Sequence, residues 1–138
     1  DTMKSFAAAI VLLTVVTLGQ AGLDRDKAIK TLEECKAETG ASEDPVATYD
    51  SQMIPESKKG KCMLACALRK RNLMTEDGKL DSQAFSKLFE RVYADSPDEL
   101  EKAASVVGIC STIDMKGKDD CEKAYDLFKC GKENGLKL

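Results

Sequence analysis

The 138-residue sequence contains no histidine and no tryptophan, and only three prolines. Without histidine, an imidazole can act neither as a catalytic base nor as a pH switch, and a zinc site would lack its commonest nitrogen ligand. The net charge of −3 at pH 7 lacks the basic excess of a nucleic-acid binder. We therefore expect no enzymatic activity, no metal or other cofactor and no nucleic-acid partner.

A long hydrophobic run occurs only near the start of the chain. Residues 6–18 carry no charge, Lys4 precedes them, and small residues including Ala21 and Gly22 follow. The run is shorter than the roughly 20 apolar residues of a membrane span, and its layout is typical of a secretory signal peptide. A first buried helix or a membrane anchor is the alternative. We expect residues 1–22 to comprise two extra residues before Met3 and a signal peptide, and residues 23–138 to form one secreted, extracellular domain.

All six cysteines lie beyond the hydrophobic run. An even number of cysteines in a short exported chain predicts three disulfides, for which fifteen pairings exist. Cys121 and Cys130 would lie roughly 13 Å apart along one helix, too far for a bridge, which needs Cα atoms within about 7 Å. Cys62 and Cys66 lie on consecutive turns, where a bridge would fasten no second element. Ten pairings remain open.

Helical periodicity and capping residues predict six helices and no sheet. Apolar spacing places Phe85, Leu88, Phe89 and Val92 on the inner face of the fourth helix, and Leu100, Ala104 and Val107 on that of the fifth. The first helix is expected over residues 23–39 and the second from about Pro45 to before Pro55. The third is expected over residues 57–72, and the fourth begins at Asp81 or Ser82. The fifth runs from a cap at Ser96 to Cys110, and the sixth from Asp119 or Asp120 through Cys130.

Three consecutive basic residues, Arg69, Lys70 and Arg71, end the third predicted helix. Cations suit the negative end of a helix dipole. A basic site for a partner is the alternative interpretation of the same cluster.

The spacing of the six cysteines along the chain is distinctive enough to compare with known cysteine signatures. The gaps between successive cysteines from Cys35 to Cys130 are 26, 3, 43, 10 and 8 residues. The CxxxC pair in the third helix, the Cys-x8-Cys pair in the last helix and the segment 121–125 resemble the six-cysteine signature of the insect odorant-binding and pheromone-binding proteins. The gap of 43 lies at or just beyond the long end of the range expected for that family.

The resemblance implies an all-α fold, a compact six-helix, disulfide-crosslinked bundle around an internal hydrophobic pocket. It implies the pairing Cys35–Cys66, Cys62–Cys121 and Cys110–Cys130. It also implies a carrier of odorants, pheromones or related volatiles and lipids; a salivary or reproductive carrier and, less favoured, a saposin-like membrane-interacting protein are the alternatives. The implied pocket residues, for each of which ordinary core packing is the alternative role, are Leu64, Leu68, Leu73, Leu80, Leu88, Phe89, Ala104, Val107, Tyr125, Leu127, Phe128 and Leu136.

Two further features bear on the ligand. Leu68 stands where some pheromone binders have a serine that bonds an alcohol, so a hydrocarbon, ester or terpenoid fits this chain as well. The tail after Cys130 is short, and Leu136 or Leu138 is expected to plug the pocket mouth, with a frayed end as the alternative. The expected partners are a small hydrophobic ligand and a chemosensory receptor, without stable membrane insertion, for a monomer or weak homodimer.

Overall fold

The computed structural model describes residues 24–136. The signal-peptide prediction and the predicted plug residue Leu138 lie outside this range. Apart from an isolated bridge between Met74 and Leu80, the described residues form helices and loops, which confirms the all-α prediction. The helices are α1 (residues 24–39), α2 (Pro45–Asp50), α3 (Lys58–Lys70), α4 (Ser82–Val92), α5 (Pro97–Cys110) and α6 (Asp120–Glu133).

Most helix starts are set by local hydrogen bonds. The side chains of Ser57, Asp81 and Asp119 each accept a hydrogen bond from the backbone N–H three residues later, at 3.0, 3.0 and 2.8 Å. Each bond satisfies a donor that has no partner within the helix. Ser96 occupies the same position before α5 but its side chain caps nothing, so the predicted serine cap is wrong. Pro97 follows it in the first turn, where its fixed φ suits a helix start.

Three disulfides crosslink the bundle. Two of them leave α3 from consecutive turns, one to α1 and the other to α6, and the third joins α5 to α6. Helix α3 is thereby fastened on two sides, and its buried residues, among them Met63 and Leu64, form the centre of the core. The bridges are those that the resemblance implies: Cys35–Cys66, Cys62–Cys121 and Cys110–Cys130.

Charged side chains border the packing of α3 on α6. Lys61 donates to both carboxylate oxygens of Glu122, at 3.1 and 3.2 Å, and its ammonium lies 4.2 Å from the centre of the Tyr125 ring. About two turns further along α3, Arg69 is paired with Asp120 of α6. Tyr125 therefore contributes to the α3–α6 interface as a cation–π partner.

The predicted inner face of α5 is partly wrong. Ala104 is exposed, whereas Ala103 is fully buried and Val106, Val107 and Cys110 are buried with it. Residues 103–110, the second half of α5, carry no charged side chain, and Ile109 in this half is 48% exposed. Periodicity in such a helix does not single out the face that packs.

Two helical glycines provide a matched test of packing around α3. A Cβ on Gly60 would overlap a carboxylate oxygen of Glu43 and lie 2.5 Å from the Cβ of Pro55, whereas a Cβ on Gly108 would meet nothing within 4 Å. We expect Gly60→Ala to lower the free energy of unfolding by roughly 1–3 kcal/mol through overpacking. Gly108→Ala should raise it by up to about 1 kcal/mol through helix propensity. Urea denaturation measures both, and an equal effect of the two changes would contradict the tight packing at Gly60.

No helix within residues 24–136 combines the length and apolar composition needed to cross a membrane.

Candidate ligand cavity

A cavity in the bundle, called the main cavity below, has a volume of about 160 Å³. Its walls come from α1, α2, α3, α4 and α6, together with the segments that follow α2, α3 and α6. Most of the lining is apolar carbon, and Leu32, Leu64 and Leu68 are among the buried side chains that line it. Met53 and Val92, which are 60% and 47% exposed, also line it, so the cavity reaches solvent beside them.

An aromatic row on α4 forms one wall. Phe85 and Phe89 line the cavity and are buried, with ring centres 5.7 Å apart, and Tyr93 continues the row at 5.9 Å from Phe89. Residues four apart on a helix face the same side, and tilted rings at this separation attract one another. The row gives the cavity a pre-formed aromatic surface, as is common in small-molecule sites.

A second, smaller cavity of about 30 Å³ lies behind the first, between α4, α5 and α6. A volume of this size holds only one or two water molecules. Five side chains line both cavities and so form the partition between them: Leu68, Phe85, Phe89, Phe128 and Leu136. The half-buried Leu136 thus lies against the cavity wall at the end of the described chain.

The structure brings most of the residues implied by the resemblance to these two cavities. Ala104 and Tyr125 line neither, because the first is exposed on α5 and the second packs beside Lys61. Leu80, Val107 and Leu127 line only the second cavity. The main cavity is lined by Leu64, Leu68, Leu73, Leu88, Phe89, Phe128 and Leu136.

The α1 and α2 side of the main cavity is absent from that prediction. Ala28 and Leu32 on α1 lie four residues apart and follow the helical period of the first helix, which was a usable signal. Thr48, Tyr49 and Gln52 carry polar groups, and no sequence pattern marks them as cavity residues. They line the cavity because the packing of the bundle places α2 beside it.

Ion pairs tie α1 to the elements beside the cavity. Asp24, a lining residue, accepts from the Arg91 guanidinium at 3.0 and 3.2 Å, and Arg25 donates to Asp50 at 2.7 and 3.0 Å. The hydrogen bond from Arg25 lowers the pKa of Asp50. The Arg25–Asp50 pair is therefore present above the ordinary aspartate pKa and is lost only as the pH falls through the lowered value.

Comparison with known proteins agrees with this architecture. The sequence model of the PBP/GOBP family matches residues 23–134. General odorant-binding protein 19d of Drosophila melanogaster is 33% identical over 120 residues, which are 84% of this chain and 79% of that protein. General odorant-binding protein 28a of the same species is 27% identical over 92% of this chain and 96% of that protein.

Solved structures show the same fold. Odorant-binding protein dmelOBP28a of Drosophila melanogaster superposes with a TM-score of 0.71 at 23% identity, over 83% of this chain and 93% of that one. Apis mellifera odorant binding protein 5 gives a TM-score of 0.70 at 20% identity, over 83% and 91%. The family match over most of the sequence, the six-cysteine pattern and the shared all-α fold together show that this chain belongs to the PBP/GOBP family.

Proposed function

We propose that this protein is an extracellular carrier that binds small hydrophobic molecules in the main cavity and releases them unchanged. The observation that supports this most is an apolar cavity of about 160 Å³ that reaches solvent, in a chain whose relatives are named odorant-binding proteins. Interiors normally contain few voids of this size, because every unfilled contact forfeits packing energy. A cavity retained at that cost is readily explained by a ligand that fills it.

The size of the cavity limits the ligand class. An engineered apolar cavity of about 150 Å³ binds benzene. Volatile compounds such as monoterpenoids, short esters and medium-chain aliphatics therefore fit the main cavity better than large lipids do. Burial of their carbon surface at about 25 cal/mol per Å², less the cost of immobilisation, corresponds to micromolar rather than nanomolar affinity.

We propose that residues 23–138 are the mature, secreted protein, that it acts as a monomer or weak homodimer, and that it delivers odorants, pheromones or related hydrophobes to a chemosensory receptor. A salivary or reproductive carrier would use the same cavity. In either setting the protein supplies burial and no chemistry.

Titration with a fluorescent apolar probe tests the carrier function. We expect the oxidised protein to bind N-phenyl-1-naphthylamine saturably at one site with a micromolar dissociation constant, and small terpenoids or esters to displace the probe. Protein denatured in guanidinium chloride with its disulfides intact is the control, since it retains the crosslinks but not the cavity. A folded protein with three disulfides that shows no saturable binding would overturn the carrier function.

A further inference from the structure

Arg71 is the one member of the basic cluster at residues 69–71 that has no acidic partner within the described chain. Arg69 is paired with Asp120, and Lys70 donates to Glu38 at 2.6 Å, with Glu34 at 3.5 Å. Arg71 directly follows α3, is half-buried and lines the main cavity. A partly buried cation without a counter-ion is unfavourable in the empty cavity, and an anion placed beside it would be stabilised.

The charges lining the main cavity are unbalanced. Asp24 is its acidic lining residue, but both of its oxygens are occupied by Arg91, which lies outside the lining. Lys132 on α6 is a second lining cation without an acidic partner in the part of the chain that the structure describes. The lining of the main cavity therefore carries an excess of positive charge.

Tyr49 supplies a hydrogen-bond donor in the same cavity lining as Arg71. It lines the cavity, is half-buried, and its hydroxyl makes no hydrogen bond to another described residue. Burial raises the pKa of Tyr49, and the positive charges of Arg71 and Arg25 oppose this rise. At neutral pH the phenol keeps its proton and can donate it to an acceptor.

We infer that the main cavity takes small amphiphiles with a carboxylate head, the carboxylate lying between Arg71 and the hydroxyl of Tyr49 and the aliphatic chain extending toward Leu68 and Phe89. This inference rests on the proposed carrier function and adds a ligand class to it. The carboxylate supplies the missing counter-ion, and the apolar lining buries the chain. Arg71 is the residue that distinguishes a carboxylate from a neutral ligand of the same shape.

Octanoate and octanamide form a matched probe pair, since they share chain length and shape and differ in charge. By calorimetry at pH 7.5 and low salt, we expect the oxidised protein to bind octanoate roughly five to ten times more tightly than octanamide. This ratio is the effect of one charge-assisted hydrogen bond, reduced because Arg71 is partly exposed to solvent. Arg71→Met should reduce this ratio to about one while changing octanamide affinity less than about twofold. Arg71→Lys should retain part of the preference, and Tyr49→Phe should lower it by a smaller factor.

Lys87→Met is the control, because it removes a positive charge from the exposed side of α4 outside the cavity lining. The inference is overturned if wild-type protein shows no preference for octanoate, or if Arg71→Met keeps the preference, or if Lys87→Met removes it equally. In each of these cases the carrier function still holds, provided that octanamide binds. If neither probe binds nor displaces N-phenyl-1-naphthylamine, and that dye itself fails to bind, the carrier function fails as well.

Discussion

Replacing both Cys62 and Cys121 with alanine is expected to lower the free energy of unfolding by about 4 kcal/mol. This bridge joins residues 59 positions apart, the longest separation of the three, and a crosslink restricts the unfolded chain more as the loop it closes lengthens. For a chain of this size the loss corresponds to a fall in melting temperature of about 15 °C. Thermal and urea unfolding under non-reducing conditions measure it.

The paired replacement of Cys110 and Cys130 is the matched control. That bridge spans 20 positions, so the same reasoning gives a smaller loss of about 3 kcal/mol. Replacing cysteines in pairs avoids a free thiol that would exchange with the remaining bridges. A loss below about 1 kcal/mol for the Cys62 and Cys121 pair, or a clearly larger loss for the control, would contradict this account of the crosslinks.

The loss of the Cys62–Cys121 bridge should also weaken ligand binding. Helices α3 and α6 both wall the main cavity, through Leu64 and Leu68 on one side and Phe128 on the other. With the crosslink removed, these walls are free to close on the empty space, because collapse restores packing contacts. The bridge thus supports the cavity as well as the fold.

The helices could be predicted from the sequence because their signals are local. Ser57, Asp81 and Asp119 cap through bonds to a backbone N–H three residues away, which depend on no distant part of the chain. The disulfide pairing and the bundle around a pocket are predicted only through the family resemblance, which rests on the cysteine spacing. Without that resemblance, helix geometry left ten pairings open.

The cavity could be predicted only in part, because its shape depends on how the helices pack. The apolar period of α5 favours Ala104 as an inward residue, but the uncharged second half of that helix has apolar side chains on several faces, and Ala104 is exposed. Tyr49 on the short α2 and Gln52 in the turn after it are not predictable as cavity residues, because their polar groups give no sign of lining an apolar cavity. The three basic residues 69–71 are alike in sequence, and only the tertiary partners of Arg69 and Lys70 distinguish Arg71 from them.

Replacing Ala67 with phenylalanine is expected to abolish ligand binding without unfolding the protein. Ala67 is half-buried on α3 and lines the main cavity. The substitution adds a phenyl ring, and an apolar cavity of about this size accommodates benzene, so the ring should occupy the ligand's place. Filling a void also restores packing contacts, so the melting temperature should be unchanged or raised. Ala104→Phe adds the same ring at the exposed position on α5 and is the control.

The most direct test of a ligand in the main cavity is a side-by-side titration of wild type, Ala67→Phe and Ala104→Phe with N-phenyl-1-naphthylamine. We expect Ala67→Phe to lose at least about twentyfold in affinity while keeping a cooperative melt, and Ala104→Phe to bind as wild type does; twentyfold is the effect of about 1.8 kcal/mol of lost burial. Should Ala67→Phe fail to fold, Ala28→Phe fills the same cavity from α1. A folded cavity-filling variant that binds as tightly as wild type would show that the ligand lies elsewhere, and would contradict the account.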